Sequence, residues 1–310
     1  MKIAFTGKGG SGKSTMAALF VGYLRQTGVR VLAVDADVNV HLAPLLGVVA
    51  HASAALSHPE RTTAVRRHLL GTNKLIGGVD RFVATTPPGP GSRTVTLDAA
   101  DPVLTAHAVA LDERTHVMHV GTYEPENIGA GCYHGHLAIL ENLLSHLETR
   151  EGDVVVCDMV AGTDAFANSL HAQFDAIVVV VEPTPESVTV ARRYRELAEA
   201  AGVADLLLLV GNKVVDEVDV DYLRRELGSA PAAVLPSQAG LRRARQAGEC
   251  PRPEDLEDVA PLRVIASLVK PVPAGRRAEA LRALHLKVAE KDWVRSAHGD
   301  VTDQLAPVHK

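Results

Sequence analysis

The sequence predicts a doubly wound α/β fold, a mostly parallel sheet with helices on both faces. Three observations predict it. Short, continuous apolar runs recur along the chain, among them Val154-Val155-Val156, Ala176-Ile177-Val178-Val179-Val180-Val181 and Leu206-Leu207-Leu208-Leu209-Val210. Strands read this way when crossover helices cover both faces of a parallel sheet. Segments with apolar residues at helical spacing alternate with these runs. The first run, Ile3-Ala4-Phe5, is joined to the first helix by a glycine-rich string, the connection at which such folds bind phosphate.

The chain has 310 residues, 46% of them hydrophobic, which is ample for a large packed core. Its net charge of −5 and aromatic content of 4% argue against a nucleic-acid partner. Three cysteines, Cys132, Cys157 and Cys250, are too few for a disulfide framework and fit a reducing compartment. The glycine-rich string begins at Gly7, which leaves no N-terminal room for a signal peptide. No apolar run reaches the length of a membrane span. A cytoplasmic location without membrane contact is expected.

Taken in order, Ile3–Phe5 is the first strand, and a helix follows through Met16-Ala17-Ala18-Leu19-Phe20-Val21. Gly28 ends that helix, and Val29–Val34 is the second buried strand, delivering Asp35-Ala36-Asp37 at its carboxyl end. The Ala-, His- and Arg-rich stretch 48–80 is expected to be helical. Arg81–Ala84 and Thr94–Leu97 are expected as two short strands of a hairpin around the loop Pro87–Ser92. His116–Gly121 alternates and reads as a strand; a helix is expected over Leu137–Leu147. Strands follow at Asp153–Cys157, Ala176–Val181, Leu206–Val210 and Ala232–Pro236, with helices over Ser187–Ala201 and from Leu241. Pro271–Gly275 is a break, so residues 1–270 are expected as one domain and 271–310 as a C-terminal helix, Arg276–Trp293, with a loose polar tail.

The string Gly7-Lys8-Gly9-Gly10-Ser11-Gly12-Lys13-Ser14-Thr15 has the G-x-x-x-x-G-K-S form of a phosphate-binding loop in its required strand–helix context. Gly9, Gly10 and Gly12 are expected to take positive φ and bring backbone N–H groups, with those of Ser11 and Thr15, close to an anion. Lys13 is placed for the β and γ phosphates of a nucleotide and the Ser14 hydroxyl for Mg²⁺. Asp158 closes a Val-rich strand where a second Mg²⁺-binding carboxylate belongs, and Asp158-Met159-Val160-Ala161-Gly162 has the form of a switch loop whose glycine N–H meets a γ phosphate. Asp37 is the candidate for orienting the attacking water and assisting the metal; Asp35 holds the loop or the metal's water shell. Asn212-Lys213 stands where these folds read the base. A guanine reader would carry Asp at position 215, but Val215 stands there and Asp216 comes one place late, so ATP and ADP are favoured, with Pro236 packed on the base.

Lys8 narrows the reading. The run K-G-G-x-G-K-S resembles the deviant phosphate-binding loop of the MinD/ParA and nitrogenase-iron-protein class of dimeric P-loop ATPases, over roughly residues 1–250. That resemblance implies an ATP-dependent homodimer in which Lys8 reaches the partner's nucleotide, supplying charge in trans as an arginine finger does. Within the class, the Gly131-Cys132-Tyr133 run and the Asp158-Met159-x-Ala161-Gly162 switch are similar to the nickel-insertion ATPases of carbon monoxide dehydrogenase, the CooC family. Members carry C-x-C here and share a metal between subunits; this chain has Cys132-Tyr133-His134, with His136 two further on. Thiolate and imidazole both suit Zn²⁺ and Ni²⁺, so the resemblance implies an inter-subunit metal site at Cys132 and His134 and a client metalloenzyme. An iron–sulfur role would need a second cysteine where Ala165 stands. The competing reading is a spatial organiser or partition ATPase of the MinD/ParA type. For that reading, the Leu281, Leu284 and Val288 stripe would be a surface-binding helix.

Overall fold

The structure, a computed structural model, describes residues 1–123, 133–166 and 169–306; of Tyr133 and His134 it describes only the helical backbone. The elements in chain order are β1 (Lys2–Gly7), α1 (Lys13–Gln26), β2 (Arg30–Ala36), α2 (Leu42–Leu45), α3 (Pro59–Leu70), α4 (Pro102–His107), β3 (Val109–Ala110), β4 (Thr115–His119), α5 (Tyr133–Ser145) and β5 (Asp153–Met159). Then come β6 (Ala176–Val181), α6 (Pro185–Ala200), β7 (Leu207–Val214), α7 (Glu217–Leu227), β8 (Ala233–Pro236), α8 (Ala239–Gln246), α9 (Ala260–Leu268), α10 (Ala274–Ala289) and α11 (Asp292–His298).

Among the described residues the sheet has eight strands in the order β3-β4-β2-β5-β1-β6-β7-β8. Every pairing is parallel except the short β3 against β4. The chain starts near the middle and winds outward in both directions, so the carboxyl ends of β1, β2 and β5 meet along one edge. Side-chain alternation splits the interior into two layers. Ile3, Phe5, Val31, Ala33, Val156 and Val178 face α1, α2 and α9, with Met16, Leu19, Leu42 and Ile265 above them. Ala4, Leu32, Val34, Val155 and Val179 face α3, α5, α6 and α7 through Leu69, Leu140, Tyr194 and Leu223. The buried runs in the sequence are these two-faced strands.

Three sequence expectations are corrected. In the stretch 48–80 only α3 is an extended α-helix, because the remainder is broken by Gly71, Gly77 and Gly78. No hairpin forms at 81–97: Val95 makes only an isolated parallel bridge to Leu147, and 82–84 are irregular. Their backbone is satisfied instead by a side chain, Asn142 Nδ2 donating to Val83 O (2.7 Å) and Ala84 O (2.9 Å). The helix expected over Arg276–Trp293 is two helices, and the segment after Trp293 is packed rather than loose. Val294 and Val301 are buried with Val83 and Ala289. Gln304 is buried, accepting from Thr86 Oγ1 (2.9 Å) and donating to Arg81 O (2.8 Å). α10 turns Leu281, His285 and Ala289 inward, and His285 Nε2 donates to Val301 O at 2.8 Å.

His146, just past α5, is buried, and its Nδ1 donates to Asn142 O at 2.9 Å. Burial pushes its pKa down to about 4. A free imidazole titrates near 6.5, so the neutral ring stabilises the fold fully above that pH. The contribution is lost as pH falls toward 4, about 3 kcal/mol at that point. Thermal unfolding of His146→Gln should therefore depend less steeply on pH between 6.5 and 4 than the parent protein does. Parallel pH profiles would refute this.

Candidate functional site

The glycine-rich string forms a tight loop between β1 and α1. Ser11 N–H donates to Lys8 O (3.0 Å), and the helix ladder begins with Met16 N–H to Gly12 O (2.9 Å). Gly12, the residue before α1, has φ of 92° and offers no capping side chain, and the first turn holds no acidic residue. The positive end of α1 is therefore uncompensated, and the N–H groups of Lys13, Ser14 and Thr15 lie ahead of the ladder's first bond. Gly10 also has positive φ, 86°, whereas Gly9 does not: it lies beside Ala161 in ordinary backbone geometry. A Cβ at Gly12 would come within 2.3 Å of Asn212 Nδ2, and one at Gly7 within 2.5 Å of Val180 O. Larger residues are excluded at Gly7 by contact with backbone as well as by φ; at Gly12 φ excludes them, and a Cβ would also push the Asn212 amide off Ser11 O.

Two aspartates, Asp37 and Asp158, converge on Lys13, and a third, Asp35, stands beside Asp158. Asp35, next to last in β2, lies directly opposite Asp158 on β5. Lys13 Nζ is ion-paired with Asp37 Oδ2 and lies 3.5 Å from Asp158 Oδ1 and 3.4 Å from Ser14 Oγ. All three carboxylates are at most 2% exposed. Burial and the neighbouring Asp158 push Asp35 up to about 7, against the N–H groups of Ala43 (2.9 Å) and Asp37 (3.4 Å) that it accepts. Burial likewise pushes Asp158 up to about 6, against Lys13. At Asp37 burial also works to raise the pKa, but Lys13 and Asn39 outweigh it and hold the carboxyl below its ordinary range. Burial would lower Lys13, but Asp158 and Asp37 outweigh it and raise the lysine. Apart from the long contact to Lys13 and the neighbouring Ser14 hydroxyl, the Asp158 oxygens have no hydrogen-bond partner, and Ser11 Oγ has none. Buried, under-satisfied acceptors beside a hydroxyl and a second carboxylate form an oxygen-only donor set, which suits Mg²⁺ completed by phosphate oxygens. Among the described residues no group of three or more His, Cys, Asp or Glu side chains forms a metal cage without such help.

Three residues expected to meet the nucleotide make contacts within the chain. Asn212 and Lys213 lie within β7 and brace the phosphate loop. Asn212 Nδ2 donates to Ser11 O (2.7 Å), and Lys213 Nζ to Gly10 O (2.7 Å) while pairing with Glu182 Oε1 (2.5 Å). Lys213 takes a left-handed φ of 59°, at an irregularity in the β7–β8 register, to point there. Gly162 N–H, expected to meet a phosphate, donates to Gly7 O at 2.9 Å. Pro236, at the end of β8, lines a cavity of about 620 Å³ with Thr15, Met16, Leu241 and Leu256, adjoining the loop at Gly12. Asn212, Lys213 and Arg245 line it too, so the slot is apolar on one wall and polar on the other.

Lys8 is half-buried; its Nζ is 3.4 Å from Gly9 O, and it pairs with no carboxylate among the described residues. Cys132 lies outside the described residues, and so does the side chain of His134. Sequence reasoning missed Asn39, whose N–H and Nδ2 hold Asp37 Oδ1 at 2.9 and 3.0 Å. It also missed Glu182 as Lys213's partner; the signal was an acidic residue closing an apolar strand, as at Asp35 and Asp158.

The sequence matches the CobQ/CobB/MinD/ParA nucleotide binding domain over residues 2–272. It is 30% identical over 250 residues to the carbon monoxide dehydrogenase accessory protein CooC of Rhodospirillum rubrum, covering 78% of this chain and 88% of that one. The fold is similar to that of a ParA family ATPase from Chlorobium tepidum TLS (TM-score 0.56, 16% identity, 98% of this chain and 99% of the other). It is also similar to a chain of the MinC:MinD cell division complex of Aquifex aeolicus (TM-score 0.53, 16% identity, 88% and 97%).

Proposed function

This chain belongs to the CobQ/CobB/MinD/ParA nucleotide-binding family of P-loop ATPases, and from that premise we propose that it is an ATP-driven homodimeric switch for metalloenzyme maturation. The observation that carries the ATPase half is Lys13 held between Asp37 and Asp158 beside the uncapped start of α1. On this reading the N–H groups of residues Gly9 to Thr15 cradle phosphates and Lys13 leaves Asp37 for the β and γ oxygens. Ser14, Asp37 and Asp158 would hold Mg²⁺, which would neutralise charge on those phosphates. Asp37, released from Lys13, orients water; Lys8 supplies positive charge to the partner's pocket. Pro236 packs on adenine. Gly162 exchanges Gly7 O for a phosphate oxygen, which moves the loop after Asp158 and closes the dimer.

Similarity to CooC supports the second half. Cys132 and His134 from each of two subunits would offer two thiolates and two imidazoles to a Zn²⁺ or Ni²⁺ cargo, a four-coordinate set. α10 turns its apolar face onto its own domain, which favours maturation over a surface-directed organiser. Equilibrium dialysis against Zn²⁺ and Ni²⁺, with and without a non-hydrolysable ATP analogue, tests this. Parent protein is expected to bind one ion per dimer and Cys132→Ala to lose it; equal binding by both would end the metal reading.

A further inference from the structure

A second cavity, about 340 Å³, opens between α3 and the first turn of α5, and its lining includes Ser57, Thr62, Thr63, Arg66 and His136. It shares no lining residue with the 620 Å³ slot beside the phosphate loop. Arg66 is the unusual member. Its Nε donates to Asn142 Oδ1 (2.9 Å), and its guanidinium carbon lies 5.8 Å from the centre of the Phe82 ring. Asn142 is itself buried and fixed by its two bonds to Val83 O and Ala84 O. The guanidinium is thus held in one orientation, yet no carboxylate pairs with it among the described residues. Burial alone pushes its pKa down to about 10. Among the described residues no acidic side chain lines the cavity. The Thr62 and Thr63 hydroxyls already donate to Leu56 O and Pro59 O, each at 2.8 Å, so they shape the wall. Among the described residues, the two Nη groups of Arg66 and the Ser57 hydroxyl are lining donors with no acceptor.

We propose that this cavity is a binding site for a small oxyanion, a carboxylate or phosphate gripped by Arg66. A preoriented guanidinium presents two parallel N–H groups that match two oxygens of either group. Because the cation is already partly desolvated and lacks a counter-charge among the described residues, an anion gains the attraction with much of that cost already incurred. Cations are excluded by the same charge, and the volume suits a small molecule. The site lies on the turn of α5 carrying Gly135 and His136, next in sequence to His134, but its existence does not depend on any metal binding there.

Isothermal titration of full-length protein saturated with Mg-ADP, so that the phosphate loop is filled, tests the proposal. Inorganic phosphate is injected in one arm and citrate in the other. At least one is expected to bind at one per chain with millimolar affinity or better, and which one identifies the chemistry. Arg66→Gln should weaken it about tenfold or more while leaving ADP affinity unchanged. Thr63→Glu, on the exposed face of α3 three residues before Arg66, should pair with the guanidinium internally and abolish binding without touching the core. Failure of both anions to bind the parent protein, or unchanged binding in Thr63→Glu, would overturn the site.

Discussion

Replacing Lys13 with alanine is expected to abolish ATP hydrolysis, a loss on the order of 10³-fold or more, and to remove measurable triphosphate binding. The effect is large because Lys13 has two tasks. It is the cation at the start of α1, and it is the only cation paired with Asp37 and Asp158 among the described residues. Without it two buried carboxylates face Asp35 uncompensated, so Asp37 loses the partner that holds its pKa down and takes up a proton more readily. Breaking a buried pair from one side costs about 3 to 5 kcal/mol. Lys13→Ala should therefore unfold at a lower temperature than the parent at neutral pH, and the gap should narrow in acid as the carboxylates become neutral. Titration with a non-hydrolysable ATP analogue, steady-state turnover and thermal unfolding at two pH values check the three parts. Retention of analogue affinity within about threefold would exclude Lys13 from the phosphate site, since a charge-assisted contact is worth more than that.

Lys8→Ala is expected to do something different: keep nucleotide affinity and lose turnover, by about 10³-fold. Within one subunit Lys8 has no anionic partner among the described residues and reaches only the carbonyl of its own neighbour Gly9. A lysine at the rim of a phosphate loop with no task inside its own subunit fits a task across an interface. The parent's specific activity should rise with protein concentration as dimers form, and the variant's should stay flat. Sedimentation with the bound analogue should show the parent as a dimer. A variant that turns over ATP at the parent's rate would remove the cross-subunit role, whatever happens at Lys13.

The sheet was legible because its strands are buried on both faces: Ala176–Val181 is apolar throughout, and the expected and observed limits agree. α6 was placed to within a few residues by its apolar stripe, whereas α7 and α9, which bury Leu223, Leu227, Leu262 and Ile265, were not expected. Local pattern failed where the backbone is satisfied by distant side chains. Residues 81–86 look strand-like, yet Asn142, His285 and Gln304 hold them, from positions far along the chain. The tail past Trp293 reads as polar, but Val294, Val301 and Gln304 are buried against Val83 and Thr86. At the site, strand-end aspartates announced Asp35 and Asp158, since spacing after an apolar run suffices. The directions of Asn212 and Lys213 could not be read, because they depend on a register irregularity and a left-handed residue between β7 and β8.

That brace has a bearing on how nucleotide selectivity is to be assigned. Asn212 grips the main chain at Ser11, and a Cβ on Gly12 would collide with it, so side chain and loop are fitted to each other like tongue and groove. Trimming Asn212 loosens the pocket's floor for every ligand, whichever ring it carries. Asn212 and Lys213 line the same slot as the wall from Pro236 to Arg245, so an altered ring preference in an Asn212 variant has to be separated from the loosened floor by changing the far wall alone.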